Sequence, residues 1–585
     1  MEETRYVEYD DIFHHVNPFG SYQKKVVFGT CMILVAQNIQ FSHLVFVTGT
    51  PNFECTTENV TCGGVNRCCD NCTTYKFDTM FTTMVSEWNL ICDRAHITAI
   101  IQSMFFVGML VGSFVSGILS DAYGRRTVIF STFGLMAVCG VVQSFVDCES
   151  LFGFLRFGSG AFMISTTLSQ YILMLEFIGP GYRAMAGNVN NIFWGSGTLI
   201  AILIAYFVRE WRTYVWITSL PPFIMYLFWK VFPESPRWLL VHGKLEKAHQ
   251  LIMKFGSKGE KNVDSAVMMS MVEDIRKDQV RREKDDHKRH TPLDLLKTPK
   301  LRKWSLIIWF GWFNVSMTYF AIMIYVTHLP GNIYTIMAIR TSMVAVGTPV
   351  TWYLMNSIGR RMVHACYMTL TGALLLLILV IPQEYEVAIT WLAILGYALT
   401  SLEWSSVYLI TTELFPTVLR NTAQGTGSTA ARVGGIAAPF LLMLVRKKTK
   451  RSSGPYYAVE RLISKRIFKG NTEYLVKWEA YSLYYFSWED EGNLTRDLIR
   501  SYDKPAQLPG SGIYLPMAIF GACAIVCGIS SLWLPETALI TLHQTTEEAE
   551  ESQESYRMPC LTRRRLRELD KVETENRPMI TMHKV

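Results

Sequence analysis

The chain has 585 residues, of which 50% are hydrophobic and 18% are charged, and its mean hydropathy is +0.19. Soluble domains carry about 25% charged residues, so this composition excludes an ordinary soluble protein and indicates a polytopic membrane protein. The formal net charge of +7 is modest and gives no indication of nucleic-acid binding.

Long apolar stretches recur along the chain after a polar N-terminal segment, residues 1–23. This segment lacks the apolar core of a cleavable signal peptide, so we expect the first membrane helix to act as the targeting signal. A helix that crosses a bilayer needs about 20 mostly apolar residues. By this criterion the sequence predicts an all-α protein with twelve spans, at 25–48, 97–119, 127–146, 151–175, 185–208, 212–232, 304–326, 333–355, 362–382, 387–410, 422–445 and 513–534.

The polar loop between the first two spans, residues 49–96, is rich in cysteine. Clustered cysteines indicate a disulfide framework in an oxidising compartment, although free thiols or a zinc site are the alternative. Two glycosylation sequons, which begin at Asn59 and Asn71, lie in the same loop. These features together predict an extracellular loop whose disulfide candidates are Cys55, Cys62, Cys68, Cys69, Cys72 and Cys92.

The basic loops favour one orientation of the chain, although RKKTKR (446–451), directly after the eleventh span, opposes it. If the cysteine-rich loop is outside, both termini and the basic loop 234–303 are inside, in accordance with the positive-inside rule. The arginine pairs after the second and eighth spans fall on the same inner side. We therefore predict a plasma-membrane protein with its termini in the cytoplasm.

Three inner loops repeat. GILSDAYGRR follows span 2 and YLMNSIGRR follows span 8; LEFIGPGYR and TELFPTVLR follow spans 4 and 10; FPESPRW and LPETALI follow spans 6 and 12. The first two motif pairs lie about 235 and 237 residues apart, but the third lies about 302 apart. The pattern predicts two six-helix halves in a parallel repeat, with roughly 65 extra residues in the second half.

Each repeated loop places acids and arginines at helix ends, where they can form an inner gate that opens in one state and closes in another. We expect Asp121 to pair with Arg125, Glu176 with Arg183, and Glu413 with Arg420. The alternative is that these charges only fix the topology. The full set of gate candidates is Asp121, Gly124, Arg125, Arg126, Glu176, Arg183, Glu413 and Arg420.

The first of these loops resembles the signature loop of the major facilitator superfamily. The segments SEWNLICDR (86–94), PESPRWLL (233–240), TELFPTVLRNTAQG (412–425) and ARVGGIAAPF (431–440) resemble the organic cation/anion/carnitine transporters within it. The resemblance covers about 1–445 and 511–550, and it implies transport of small organic ions by alternating access. Asn356 departs from the family pattern, because the duplicated loop usually has an acid there.

This resemblance implies a substrate site near the middle of the membrane, between the halves. Ionisable residues inside spans are candidates for such a site. The family has an acid at the position of Arg432 in transporters of simple cations and an arginine in anion and carnitine types, so Arg432 favours an anion or a zwitterion such as carnitine. Glu403 could pair with Arg432, bind an ammonium group or carry a coupling proton. Tyr171 and Tyr319 match aromatic residues that contact substrate, although core packing is the alternative.

Motifs of other chemistries are missing from the sequence. A phosphate-binding GxxxxGK[ST] loop is absent, and we find no nucleophile–base set and no metal-ligand cluster. The sequence therefore predicts a transporter that is not an enzyme, that needs no cofactor or metal, and that is driven by gradients or the membrane potential.

The extra residues form a separate segment at 446–510, between the linker-like stretches RKKTKRSSGP and DKPAQLPGSG. YYAVERLI, TEYLVKWE and FSWED predict short strands, and LTRDLIRSY predicts a short helix. The segment resembles a chromodomain, which implies a methyl-lysine cage formed by Tyr457, Trp478 and Tyr481. The domains are thus transporter (1–445), insert (446–510), and last span with tail (511–585).

The topology puts this insert outside the cell, where histone tails are absent. Three explanations stay open: a chromodomain from a transposable element that was retained in an outer loop, a join of unrelated exons, or a true reader of methylated lysine. In the last case the protein would be a membrane-tethered chromatin-binding module with an inactive transporter part. The expected partners are a small organic ion and the lipid bilayer, with a methylated-lysine peptide through the insert and no nucleic acid.

Overall fold

The computed structural model describes residues 9–57, 68, 72, 74–78, 80–230, 232–256, 264–285, 292–382, 385–443, 459–468, 471–478, 486–490, 511–535 and 537. Its helices are α1 Ser21–Phe41, α2 His43–Phe46, α3 Met84–Glu87, α4 Ala95–Tyr123, α5 Arg125–Gln143, α6 Glu149–Glu176, α7 Arg183–Phe207, α8 Trp211–Thr218, α9 Leu220–Tyr226, α10 Pro236–Val241, α11 Leu245–Met253, α12 Ser265–Asp285, α13 Pro299–Tyr325, α14 Ile333–Ser357, α15 Arg360–Val380, α16 Glu386–Leu414, α17 Thr417–Met443 and α18 Ser511–Ser531.

Short 3-10 helices at Tyr9–His14, Cys92–Arg94, Pro180–Tyr182, Pro292–Leu296 and Val326–His328 join or precede these helices. Within the described ranges, nine helices are long and apolar enough to cross a membrane, and Pro516–Ser531 is a shorter apolar helix. The helices follow the predicted spans closely, so the predicted all-α polytopic class is confirmed.

The sixth span differs from the prediction. The sequence predicted one helix over 212–232, but the structure has two short helices, α8 and α9. Pro221 and Pro222 lie in the first turn of α9. Proline has no backbone N–H to donate, so it is tolerated at the start of a helix and breaks one from within. The break follows directly from this Pro-Pro pair.

Small residues let the membrane helices of the first half approach closely. A Cβ atom at Gly108 of α4 would lie 2.8 Å from the carbonyl carbon of Phe157 on α6, and one at Gly160 of α6 would lie 2.9 Å from that of Phe105 on α4. Such small residues are typical of helix–helix contacts in membranes, where packing replaces the hydrophobic effect. The α4–α6 pair therefore forms a tight unit whose inner end carries the predicted gate residues.

The cysteine-rich loop contains a two-stranded antiparallel sheet, β1 Phe53–Cys55 and β2 Tyr75–Phe77. A disulfide joins Cys55 to Cys72, and Cys68 and Cys92 are also disulfide-bonded. The predicted disulfide framework is confirmed for these four cysteines. Cys62, Cys69, Asn59 and Asn71 lie outside the described residues, so glycosylation stays a prediction.

The insert contains a three-stranded antiparallel sheet of β3 Val459–Phe468, β4 Asn471–Trp478 and β5 Phe486–Asp490, in that order. Its strands agree with the three predicted from the sequence. Trp478 ends β4 opposite Val459 in the register. Tyr457, Tyr481 and the predicted helix at 494–502 lie outside the described residues, so the cage stays a prediction.

Candidate functional site

Two ion pairs occupy corresponding positions at the inner ends of the two halves. Arg125 Nε lies 3.3 Å from Glu176 Oε2, and Arg360 Nε lies 3.3 Å from Glu413 Oε2. Each arginine begins a helix and also donates to a carbonyl five residues earlier, that of Ser120 at 2.9 Å in the first half. The sequence repeat is thus a repeat of geometry as well, in which an arginine of one loop contacts an acid at the end of another helix.

Two of the three predicted ion pairs have other partners in the structure. Arg125 does lie 2.9 Å from Asp121, as predicted. The predicted pair of Glu176 with Arg183 is wrong, because Glu176 contacts Arg125, whereas Arg183 donates to Asp10 at 2.6 and 3.1 Å. The physical reason is helix packing, since the end of α6 lies against the start of α5 and not against the start of α7.

The predicted pair of Glu413 with Arg420 is wrong for the same reason. Glu413 ends α16 beside Arg360, the first residue of α15, and its Oε2 also accepts a hydrogen bond from the Thr537 hydroxyl at 2.7 Å. Arg420 lies in the first turn of α17, and its Nε and one terminal nitrogen have no hydrogen-bond partner among the described residues. Sequence proximity therefore did not identify the ion-pair partner in either half.

Gly124 fits the first-half loop because of its backbone conformation. Its φ of 97° and ψ of 153° lie in a region that is almost restricted to glycine. A Cβ atom there would lie 2.9 Å from Cδ of Glu234. Glu234 Oε1 accepts the backbone N–H groups of Arg126 at 3.0 Å and Ser235 at 2.9 Å, so it satisfies an amide that the start of α5 would leave free.

Two neighbours of this loop were not singled out as site residues from the sequence. They are Glu234 and Trp238, whose indole N–H donates to the carbonyl of Asp121 at 2.8 Å. Both belong to the repeated FPESPRW motif, so the repeat itself was the available signal. Arg126, a predicted gate residue, stacks over the ring of Trp229 at 4.9 Å.

The corresponding loop of the second half has the same backbone conformation but different charged residues. Gly359 has a φ of 109° and a ψ of 153°, which match Gly124. Asn356 stands where the first half has Asp121, so it offers no charge to Arg360. The Arg361 guanidinium donates to the carbonyl of Leu534 at 3.0 Å, which connects the start of α15 to the chain after α18.

A stripe of aromatic residues follows α16 and packs against α13. Tyr397, Trp404 and Tyr408 are spaced by seven and four residues, which puts them on one helix face. The Tyr397 hydroxyl donates to that of Tyr319 at 3.0 Å, with the two rings stacked at 5.2 Å. Trp404 lies 6.2 Å from the rings of both Tyr319 and Tyr408. The stripe is a continuous aromatic surface that includes Tyr319, one of the predicted substrate contacts.

Arg432 lies at the inner end of this stripe. It is 9% exposed and interacts electrostatically with Tyr408. Its Nε has no hydrogen-bond partner among the described residues. Tyr171 of the first half also interacts electrostatically with Tyr408, so two predicted site residues, Arg432 and Tyr171, share this tyrosine as a neighbour.

Tyr171 and Tyr408 are themselves a repeated pair. Each lies five residues before the acid of its inner ion pair, Glu176 or Glu413, which is about 7.5 Å along a helix. Tyr171 interacts electrostatically with Tyr408 of the other half, so the two repeated positions lie near each other.

Of the three roles left open for Glu403, the pair with Arg432 is not formed in this structure. Glu403 is fully buried, accepts the Ser406 hydroxyl at 2.8 Å and forms an ion pair with His364 on α15. The residue next to it, Trp404, occupies the aromatic stripe. Because successive helix residues point about a quarter-turn or more apart, Glu403 faces α15 and away from the space between the halves.

A second buried arginine was missed by the sequence analysis. Arg340 of α14 is 2% exposed, and its guanidinium carbon lies 4.2 Å from the ring of Tyr397. Its Nε and one terminal nitrogen have no hydrogen-bond partner among the described residues. The signal was present, because a charge inside the apolar span 333–355 is expensive and marks a functional candidate.

Aromatic contacts close the outer side of the space between the halves. Phe320 of the second half lies 6.1 Å from Phe41 and 4.5 Å from Phe106 of the first half. Further out, Tyr334 stacks on Phe46 at 5.9 Å. These ring contacts join the two halves on the outer side of the protein.

A duplicated helix bundle with corresponding ion pairs at the inner ends of its two halves is the architecture of a secondary transporter of the major facilitator class. The chain belongs to the sugar (and other) transporter family, whose family model matches residues 66–464. It is a transporter and not an enzyme, and it is a multi-pass protein of the plasma membrane.

Similar proteins carry the names of organic ion transporters. The "Organic cation transporter protein" of Drosophila melanogaster is 28% identical over 478 residues, which cover 74% of this chain and 87% of that protein. The human "Organic cation/carnitine transporter 2" is 32% identical over 370 residues, which cover 63% of this chain and 65% of that protein. The resemblance seen in the sequence motifs is thus confirmed.

Solved structures support the fold. The inward-open xylose transporter XylE from E. coli has a TM-score of 0.56 at 12% sequence identity, covering 91% of this chain and 98% of that chain. At this identity the likeness concerns the fold alone. The insert has its own match, because the chromo (chromatin organisation modifier) domain model covers residues 457–505.

Proposed function

We propose that this protein transports small organic anions or zwitterions, such as carnitine, by alternating access. The observation that carries the proposal is the Arg432 Nε atom, which has no hydrogen-bond partner among the described residues, together with the electrostatic interaction of Arg432 with Tyr408. The relatives named above as organic cation and carnitine transporters support the broader class of small organic ions. The choice of an anionic group depends on Arg432.

Electrostatics explains why Arg432 would select a carboxylate. A cation that is 9% exposed has lost most of its hydration, and that cost is not offset by an acid among its described neighbours. A substrate carboxylate would supply the missing charge-assisted hydrogen bond. The faces of Tyr171 and Tyr408 attract a quaternary ammonium group, so a zwitterion satisfies both ends, whereas a simple cation meets repulsion from Arg432.

The inner ion pairs would act within each half during transport. The pairs Arg125–Glu176 and Arg360–Glu413 each join parts of one half, so they stiffen that half as it rocks against the other. The aromatic layer around Phe320 closes the outer side in the state described here. Opening outward would separate Phe320 from Phe41 and Phe106 and close the inner side around Tyr171 and Tyr408.

A binding experiment tests the charge selection directly. We expect carnitine to raise the thermal stability of the purified protein, and a choline-like cation without a carboxylate to raise it less. Arg432→Gln should remove most of the carnitine effect, with a loss of about 1.5–3 kcal/mol for a charged hydrogen bond. Arg302→Gln, an exposed inner arginine, is the matched control. Equal stabilisation of wild type and Arg432→Gln by carnitine would refute the proposal.

A second candidate function concerns the insert, because the chromo domain match and the three strands favour a methyl-lysine reader. A trimethyl-lysine histone peptide should then bind the full-length protein in detergent more tightly than the unmodified peptide, and Trp478→Ala should abolish the difference. Protease treatment of intact cells is the companion test. If the insert is cleaved only after permeabilisation, its predicted extracellular position is wrong.

A further inference from the structure

A basic cavity of about 470 Å³ lies at the inner end of the first half. The start of α5, the segment after α9 and the helix α11 line it. We propose that this cavity binds a multiply phosphorylated anion, namely the headgroup of an inner-leaflet phosphoinositide lipid. The proposal is independent of the transported substrate.

Positive charge dominates the cavity. The cations that line it are Arg126, Lys230, Lys244, Lys247 and Lys254. Glu234 also lines the cavity, but its Oε1 already accepts two backbone N–H groups, from Arg126 and Ser235. A ligand with several negative charges is therefore the natural complement of this cavity.

Aromatic rings hold three of these cations in position without neutralising them. Lys244 Nζ lies 4.6 Å from the ring of Trp238, and Lys254 Nζ lies 5.8 Å from that of Tyr22. Arg126 stacks on Trp229 as described above. A ring face orients a cation by its quadrupole and leaves the full charge, so the cations are ordered before a ligand binds.

Three lysines lie in or next to α11 at the spacing of one helix face. Lys244, Lys247, Leu251 and Lys254 are spaced by three, four and three residues, the spacing of one helix face. Leu251 is buried, whereas the three lysines are exposed. All four residues line the cavity, so this face of the helix supplies its cations.

The position of the cavity favours a lipid over a dissolved anion. Lys230 and Trp229 lie at the inner end of the sixth span, where the headgroups of the inner leaflet are found. Tryptophan and tyrosine concentrate at this interface, and basic pockets beside membrane helices suit anionic headgroups of the inner leaflet. A soluble inositol phosphate has the same phosphate chemistry but no acyl chains to hold it at this depth.

The cavity is also connected to the inner ion pair. Arg126 follows Arg125 directly, and Glu234 contacts both the cavity and the loop at Gly124. A phosphate bound by Arg126 would stabilise this loop, and with it the contact of Arg125 with Glu176. Lipid occupancy would thereby change how readily the first half moves.

The test uses the full-length protein in nanodiscs of phosphatidylcholine with or without phosphatidylinositol bisphosphate. We expect the phosphoinositide to raise the thermal stability of the wild type. Lys247→Glu combined with Lys254→Glu should weaken lipid binding about tenfold or more. Lys25→Glu is the matched control, because Lys25 is exposed at the inner end of α1 and is not among the residues that line the cavity; its binding should equal the wild type.

Two further experiments complete the test. The double variant Lys247→Gln with Lys254→Gln removes the two charges without introducing repulsion, and it should also bind the phosphoinositide more weakly than the wild type. It replaces the charge-reversed variant if that variant does not fold. Soluble inositol trisphosphate should bind far more weakly than the lipid. Tight binding of the soluble anion would overturn the assignment to a lipid, and phosphoinositide binding that is equal in all variants would overturn the site.

Discussion

The two inner ion pairs share a geometry but differ in their surroundings. In the first half, Arg125 contacts two carboxylates, those of Asp121 and Glu176. In the second half, Asn356 replaces the nearer acid, and Glu413 receives a hydrogen bond from Thr537. A duplicated backbone can therefore keep its shape while its charge balance changes, and the two halves should respond differently to equivalent substitutions.

The largest expected effect is the loss of the first-half arginine. Arg125→Ala leaves Glu176, which is 9% exposed, without its cation, and breaking a buried pair in this way costs about 3–5 kcal/mol. We expect transport to fall to background when uptake is normalised to surface protein. Arg360→Ala is the matched change, and it should retain more activity because Thr537 still binds Glu413. Equal losses in both variants would contradict the difference between the halves.

A backbone substitution should have the next largest effect. Gly124→Ala forces a side chain into a conformation that costs about 1–3 kcal/mol and brings its Cβ close to Glu234. The thermal unfolding temperature of the purified protein should fall. Gly117→Ala is the control, since a Cβ at Gly117 would have no neighbour within 4 Å, and it should leave the unfolding temperature unchanged or raised. A fall of the same size in both variants would show that the Gly124 conformation is not required.

Exchanging the acid between halves should have the smallest effect. Asn356→Asp adds a carboxylate four residues before Arg360, and exposed pairs at this spacing contribute about 0.3–0.5 kcal/mol. The variant should shift initial uptake by about twofold, because this energy changes an equilibrium by that factor. Asp121→Asn should shift it in the opposite direction, and the double exchange should restore it. An unchanged rate in every variant would mean that these charges only fix topology.

The sequence predicted the spans and the repeat well, because apolar length and duplicated motifs are local signals. It did not predict the ion-pair partners, since Glu176 and Glu413 contact arginines about fifty residues away in sequence and not the next arginine along the chain. Those contacts arise when α6 packs against the start of α5, and α16 against the start of α15. The wrong pairs share this one cause.

The central site was predicted only in part. Arg432 and Tyr171 both interact electrostatically with Tyr408, and Tyr319 stacks on Tyr397; their role in binding substrate stays a prediction. Glu403 pairs with His364 on a neighbouring helix, and the sequence gives no sign of that contact. Arg340 could have been identified from the sequence as a charge within an apolar span, but it lies outside the family motifs. The break in the sixth span could also have been predicted from its two prolines.

The most direct test of the account is substrate selection by Arg432 in transport. Uptake of labelled carnitine, a simple quaternary cation and a dicarboxylate should be compared between the wild type and Arg432→Asp in the same cells. We predict that the wild type prefers substrates with a carboxylate, and that Arg432→Asp loses them and favours the simple cation. If Arg432→Asp is present at the cell surface and its order of preference is unchanged, charge selection by Arg432 is refuted.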